Sequence, residues 1–324
     1  MKTSILRHAF LALTFTLFTA PPKSRADLLL ASRSDDTVVR YHSAGGTFST
    51  FVTDPDVSGF DGITAMVNGT DGNLYVLYEY SHRVLRYHGT TGAFIDEFIS
   101  SATLGAAGVA DPDDMELGPD GNLYISSHFP ETTDDFTAIF KFSGTSVDTF
   151  LGDFATMGAI HHTHGLAFGP GGKLFLGDAD TGEVHRFDGP GYPVPGTYLG
   201  PYMTTGGFTP YGDLAFTPDG TLYATHSGGV LRKVGPAPYT PFITGDSHWG
   251  ILADGGFLYI SDTTTGTLKK YTDAGVFVAD ITGGPGAFDI IPFVPEPGTG
   301  ALLHAGLAGL ALRRQRERRP LSCA

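Results

Sequence analysis

The sequence predicts an all-β fold: a six-bladed β-propeller of four-stranded blades, closed by a C-terminal strand that completes the first blade. Three observations predict it. A cassette built on one short strand occurs six times, five of them behind a tight turn. The cassettes recur at the spacing of a four-stranded blade. The first unit lacks its opening strand, whereas the last unit is followed by a spare one.

The cassette is clearest at Gly118 to Ser127, where GPDG runs into NLYISS. Proline fixes φ, and aspartate and glycine tolerate the remaining turn conformations. Leu-Tyr-Ile then supplies the β-branched and aromatic residues of a strand. The cassette returns as TDGNLYV at 70–76, GGKLFLGD at 171–178, PDGTLYAT at 218–225 and GGFLYISD at 255–262, with a turnless DLLLAS at 27–32. Its leucines, Leu28, Leu74, Leu123, Leu174, Leu222 and Leu258, lie 46, 49, 51, 48 and 36 residues apart. Residues 27–293 thus divide into six units of about 44 residues, the length of a blade.

Each unit supplies four strands. The first is apolar and opens with Gly or Asp, as in Gly62-Ile63, Asp114-Met115, Gly165-Leu166, Asp213-Leu214 and Gly250-Ile251. The cassette is the second. The third ends basic-aromatic in VVRYH at 38–42, VLRYH at 84–88, IFKFS at 139–143, VHRFD at 184–188 and LKKYT at 268–272; the fifth unit departs with VLRKV at 230–234. The fourth is short and apolar, such as FIDEFI at 94–99. Unit one starts at its second strand, so the spare segment Phe288–Phe293 is expected beside Leu28–Ala31, where it removes an open sheet edge.

Composition bounds the partners. The 324 residues carry a formal charge of −14. Nine of the 20 basic residues lie at the two ends, which leaves 11 in 27–293 against 32 of the 34 acidic ones. So acidic a body argues against nucleic acid or an anionic membrane surface. It suits a solvated acidic surface, cation binding or a salty medium. The only cysteine is Cys323, so burial and strand pairing must stabilise the body.

Residues 1–26 read as a secretory signal: Lys2 and Arg7, an apolar stretch from Ala9 to Ala20, then Ser24-Arg25-Ala26 as the cleavage site before Asp27. The other end, 294–324, has Pro295-Glu296-Pro297, a Gly/Ala/Leu segment from Ala301 to Leu312, and RRQRERR at 313–319. This tail resembles the PEP-CTERM sorting signal of bacterial exported proteins, departing from it at His304. The resemblance implies an exosortase-type enzyme as partner, transient membrane contact through the tail, and a final location at the cell surface or extracellular matrix. Arginines following the apolar segment would hold that end on the cytoplasmic side. The repeats of 27–293 resemble NHL-type repeats, which implies the propeller but no one function.

In a propeller, the fourth-to-first and second-to-third connections share one face, and the PDG turns lie on the other. Sorted so, Asp61, Asp113, His161, His162, His164, His248 and Trp249 fall on the connection face, with Glu79, His82, His128, Asp178, Asp180 and His226 from the second-to-third loops. That face is where a ligand is expected. The candidate ligand-binding residues are His161, His164, His128, His226, His248 and Trp249, for an extracellular carbohydrate or protein. His161-His162-Thr163-His164 suits zinc by residue type, but three histidines in one short loop seldom reach one ion without a further ligand, and HExxH is absent. No catalytic motif of the GxSxG, Walker or dinucleotide kind occurs. The fold also resembles six-bladed lactonases and streptogramin-lyase-like propellers, which implies a metal-dependent lyase or lactonase as the competing function.

The residues opening the first strands read Gly62, Asp114, Gly165, Asp213, Gly250 and Asp289 around the ring. Glycine and aspartate alternate, so Asp114, Asp213 and Asp289 would be spread evenly about the axis. Three such carboxylates could hold Ca²⁺, which takes oxygen ligands. The alternative is that each accepts backbone N–H groups at a strand edge.

Overall fold

A computed structural model describes residues 27–53, 61–128, 137–156, 162–205, 212–226, 228–245, 248–263 and 265–295. Twenty-four strands form six antiparallel four-stranded sheets, the blades. The inner strands are Ile63–Asn68, Pro112–Leu117, Thr163–Phe168, Leu214–Phe216, His248–Asp254 and, in blade 1, Ala287–Pro292. That last strand pairs with Leu28–Ser32 in the register Leu28↔Pro292, Leu29↔Ile291 and Leu30↔Ile290, and so closes the ring as the missing first strand predicts.

The cassette supplies the second strand of every blade, and the third strand's basic residue stands opposite its aromatic: Tyr75↔Arg86, Tyr124↔Lys141, Phe175↔Arg186, Tyr223↔Arg232 and Tyr259↔Lys270. Such cross-strand pairs are the unit of sheet stabilisation. Four of these cations lie over the facing ring, at 6.0 Å for Arg86, 5.6 Å for Lys141, 5.9 Å for Arg232 and 4.7 Å for Lys270. In blade 1 the partner is Leu29, and Arg40 instead covers Phe293 at 3.6 Å while binding Asp27. The departure in blade 5 is therefore at the aromatic position only. Lys233 fills it, donating from Nζ to Ala237 O at 2.7 Å.

Buried side chains pack between neighbouring blades. Leu77 and Val84 of blade 2 meet Met115, Leu123, Phe140 and Phe142 of blade 3 in one cluster. Leu28 and Leu30 meet Tyr259 and Leu268 of blade 6 in another. One helix, Ser101–Ala107, links blades 2 and 3; Ser100 caps its start by accepting Thr103 N–H, and Gly108 ends it in the left-handed region at φ 91°. The repeat pattern contains no signal for it.

Candidate functional site

Inner strands are bulged where they begin. Their pairing shifts between Ile63 and Ala65, Pro112 and Met115, His164 and Leu166, and His248 and Ile251. A bulge leaves a backbone group without its ladder partner. Second-strand hydroxyls take the place of that partner in blades 3 and 6, where Ser126 accepts Asp114 N–H at 3.1 Å and Ser261 accepts Gly250 N–H at 2.9 Å; in blade 5 Thr225 accepts Asp213 N–H at 2.7 Å.

Three carboxylates at the starts of inner strands reach across the blade seams. Asp289 accepts Ile290 N–H of its own strand at 2.6 Å and Met66 N–H of blade 2 at 2.6 Å. Asp114 likewise accepts Met115 N–H at 2.7 Å and Leu166 N–H of blade 4. Asp213 accepts Leu214 N–H at 2.6 Å and Ile251 N–H of blade 6 at 3.1 Å. The seams 1–2, 3–4 and 5–6 are thus fastened at the axis.

The residues preceding Met66, Leu166 and Ile251 are Ala65, Gly165 and Gly250, which corrects the expected ring at one place. Gly62 is not part of it. The bulge between Ile63 and Ala65 displaces the count, and Gly62, at φ 70°, gives its N–H to Asp36 at 2.7 Å instead. The alternation is of aspartate with a small residue. Smallness has a reason: a Cβ on Gly165 would come within 2.6 Å of Gly212 O, and one on Gly250 within 2.9 Å of Phe288 O.

Desolvation, with the charge of Asp289 nearby, pushes Asp114 up to about 8. Desolvation and then Asp114 and Asp289 hold Asp213 well above the usual carboxylate range. Asp289 rises to about 6 because desolvation outweighs its two backbone hydrogen bonds. Among the described residues no group of three or more His, Cys, Asp or Glu side chains is placed to hold a metal ion.

Above this ring, on the connection face, a row of stacked groups crosses the axis. The Phe288 ring lies on Trp249, with centroids 4.3 Å apart and planes at 27°, and the Arg33 guanidinium covers it at 4.8 Å. His164 meets Trp249 edge-on at 6.1 Å and pairs through Nδ1 with Asp113 at 3.0 Å. A pocket of about 30 Å³ lies beneath, lined by Thr64, Asp113, His164, Trp249, Phe288 and the aspartate ring. Arg33 also pairs with Glu79 and donates to Tyr80 Oη at 3.2 Å. Farther along, His128 meets His162 edge-on at 4.0 Å, and His162 Nδ1 lies 2.6 Å from Asp180.

Burial first, and then the neighbouring charges, moves the titrations here. Desolvation pushes Glu79 up to about 6; Arg33 opposes this, and Asp111 and Asp113 add to it. Asp111 is raised for the same first reason. Burial and His162 lower His128. For His164 burial acts downward, yet the adjacent Asp113 carboxylate brings the net shift upward.

The structure therefore brings His164, Trp249, Asp114, Asp213 and Asp289 together and sets His128 on the same face. His226 and His248 stand elsewhere. They are 3% and 1% exposed, within the wall between blades 5 and 6, where His226 Nδ1 accepts Gly228 N–H and His248 Nδ1 lies 3.0 Å from Ser261 O. His161 lies outside the described residues, as do Glu296 and Pro297; Pro295 is the last residue described. Sequence reasoning missed Arg33, Tyr80, Asp111 and Phe288. A signal for Arg33 existed: Arg33, Glu79 and His128 each stand five residues after a cassette leucine, on three adjacent blades, where blades 4 and 6 have Ala179 and Thr263.

The chain was compared with known proteins. The PEP-CTERM protein-sorting motif matches residues 293–316. No curated protein matches the chain. Among solved structures, a chain of the nidogen/laminin complex is 14% identical, with a TM-score of 0.62 over 83% of this chain and 98% of that one. Streptogramin B lyase is 11% identical, with a TM-score of 0.56 over 79% and 78%. A gluconolactonase from Xanthomonas campestris is 13% identical, with a TM-score of 0.52 over 73% and 86%. At such identities the likeness is one of fold; it establishes the propeller and does not extend to the NHL type. Among the described residues no helix is long and apolar enough to cross a membrane. The chain is a six-bladed propeller bearing a PEP-CTERM tail, the mark of proteins that are exported and sorted to the cell surface by exosortase.

Proposed function

We propose that this protein is a surface-sorted binding protein that takes its ligand at the connection-face mouth. Residues 1–26 direct secretion and are removed, 27–293 are the binding body, and 294–324 contact the membrane transiently until exosortase removes them. The observation that carries the reading is the asymmetry of the mouth. Arg33, Glu79 and His128 occupy one cassette position on three neighbouring blades, and Asp113, His162 and His164 face them from blades 3 and 4. Cationic donors and carboxylate acceptors lie side by side there, which suits a partner rich in both, a saccharide or a peptide segment.

A second reading, a lyase or lactonase at the same mouth, has its own support in the Asp113–His164 pair and in Glu79. A carboxyl raised to about 6 can both accept and release a proton near neutrality. Binding of an oligosaccharide and peptide panel to the purified body, with Arg33→Ala, Glu79→Gln and Trp249→Ala beside the wild type, tests the first reading. We expect a ligand whose affinity falls at least tenfold in Arg33→Ala and Trp249→Ala, each still melting cooperatively. Equal affinity in all three variants would remove the mouth as the site. Turnover of a bound lactone or ester, lost in Glu79→Gln, would favour the enzyme.

A further inference from the structure

We propose that the channel on the turn side of the aspartate ring is a second binding site, for a small organic ammonium ion. It is independent of the mouth, from which the ring separates it. A cavity of about 320 Å³ runs from Asp114, Asp213 and Asp289 to the strand ends around Asn68 and Leu117. That volume falls within the roughly 300–1,000 Å³ of small-molecule sites.

The composition of its wall selects the ligand. At the level next to the ring the six blades contribute Val67, Glu116, Ala167, Ala215, Leu252 and Ile291, five apolar residues and one carboxylate. Every ionisable side chain on the cavity wall is a carboxyl, and no Lys, Arg or His lines it among the described residues. Burying a carboxylate in an apolar layer costs free energy unless a partner compensates it. A hard metal ion is a poor partner here, since five of the six side chains in that layer are aliphatic, and both oxygens of each ring aspartate already accept backbone N–H groups. An alkylammonium meets both features at once: its N–H donors face Glu116, and its carbon chain covers the aliphatic wall.

Titration calorimetry and thermal melting of the full chain with n-butylammonium chloride would test this. Sodium butyrate, n-butanol, KCl and CaCl₂ serve as controls. We expect saturable binding of n-butylammonium with a rise in Tm, at least fivefold weaker binding by Glu116→Gln, and none by Leu252→Lys, which supplies a tethered ammonium. Arg33→Ala and Trp249→Ala should bind it as the wild type does, so this site and the mouth fail or succeed separately. Equal effects from butanol or from the inorganic cations would overturn the proposal, as would unchanged binding by Glu116→Gln. If Glu116→Gln does not fold, Leu252→Lys decides alone: retained binding overturns the site.

Discussion

The two ends of the blades use the same repeat in opposite ways. At the turn end, copies behave alike. Asp71 accepts Asn73 N–H at 3.0 Å, Asn73 Nδ2 at 2.7 Å and Tyr75 Oη at 3.0 Å; Asp120 does the same with Asn122 and Tyr124 at 3.3, 2.9 and 3.1 Å. Asp219 accepts Thr221 N–H at 3.1 Å and the Thr217 hydroxyl at 2.6 Å. At the mouth, equivalent positions hold Arg33, Glu79, His128, Ala179 and Thr263. Copies stay alike where each performs the same folding task. They diverge where the ring presents a single asymmetric surface.

Three measurements sharpen that contrast. The largest effect is expected from the closing strand. A chain ending at Gly284 loses Ala287–Pro292 and the buried Ile290 and Phe293, and uncovers the fully buried strand Leu28–Ser32. Each apolar side chain contributes roughly 1.5–3 kcal/mol, against a typical total of about 5–15. We expect no cooperative melting by circular dichroism; a melt like that of the full chain would contradict closure.

Next comes the turn end. Asp120→Ala strands the Tyr124 hydroxyl and the Asn122 donors, and should cost about 1–3 kcal/mol. Denaturant titration reads the loss, while ligand affinity at the mouth should stay unchanged. An affinity loss as large as that of Trp249→Ala would mean that the two ends are not separable.

The smallest expected effect is a slope with pH. In the fold Asp114 titrates at about 8 and Asp289 at about 6, against roughly 3.9 in an unfolded chain. The folded state therefore holds more protons in that window, and stability falls as pH rises from about 4 to 8. The lowered Asp27, Asp71, Asp120 and Asp178 act oppositely: their stabilisation is present above about 4 and lost below it. Stability should peak at about pH 4, where the two limbs meet, and Asp114→Asn/Asp213→Asn should flatten the alkaline limb. A wild-type curve already flat from 5 to 8 would contradict the shifts.

Strand order, blade count and closure were legible in the sequence because turn chemistry and strand composition are local. The mouth was legible by face and only partly by residue. Histidine content pointed to His164 and His128 but also to His226 and His248, whose burial depends on how blades 5 and 6 pack. Phe288 reads as a strand residue until the skip in register between Ala31 and Ser32 is known. The same difficulty moved Gly62 out of the ring: one bulged residue shifts the count, and no local pattern marks where the bulge falls. Ser101–Ala107 escaped notice because a seven-residue helix with one buried residue, Leu104, has almost no periodicity to detect.

The closing strand also decides which way the molecule points. It enters at the connection face with Asp289 and leaves at the turn face, where Phe293 N–H binds Asp27 O at 2.8 Å and Arg40 spans both residues. The sorting motif begins at residue 293, on that side and close to the axis. Any tether through the tail therefore pulls at the seam where the ring is joined, on the side away from Arg33, Glu79 and His164. Under the proposed membrane contact, a protein held there would present its mouth outward like a cup standing on its base. Removal of the tail, as proposed, would free the cup without touching its rim.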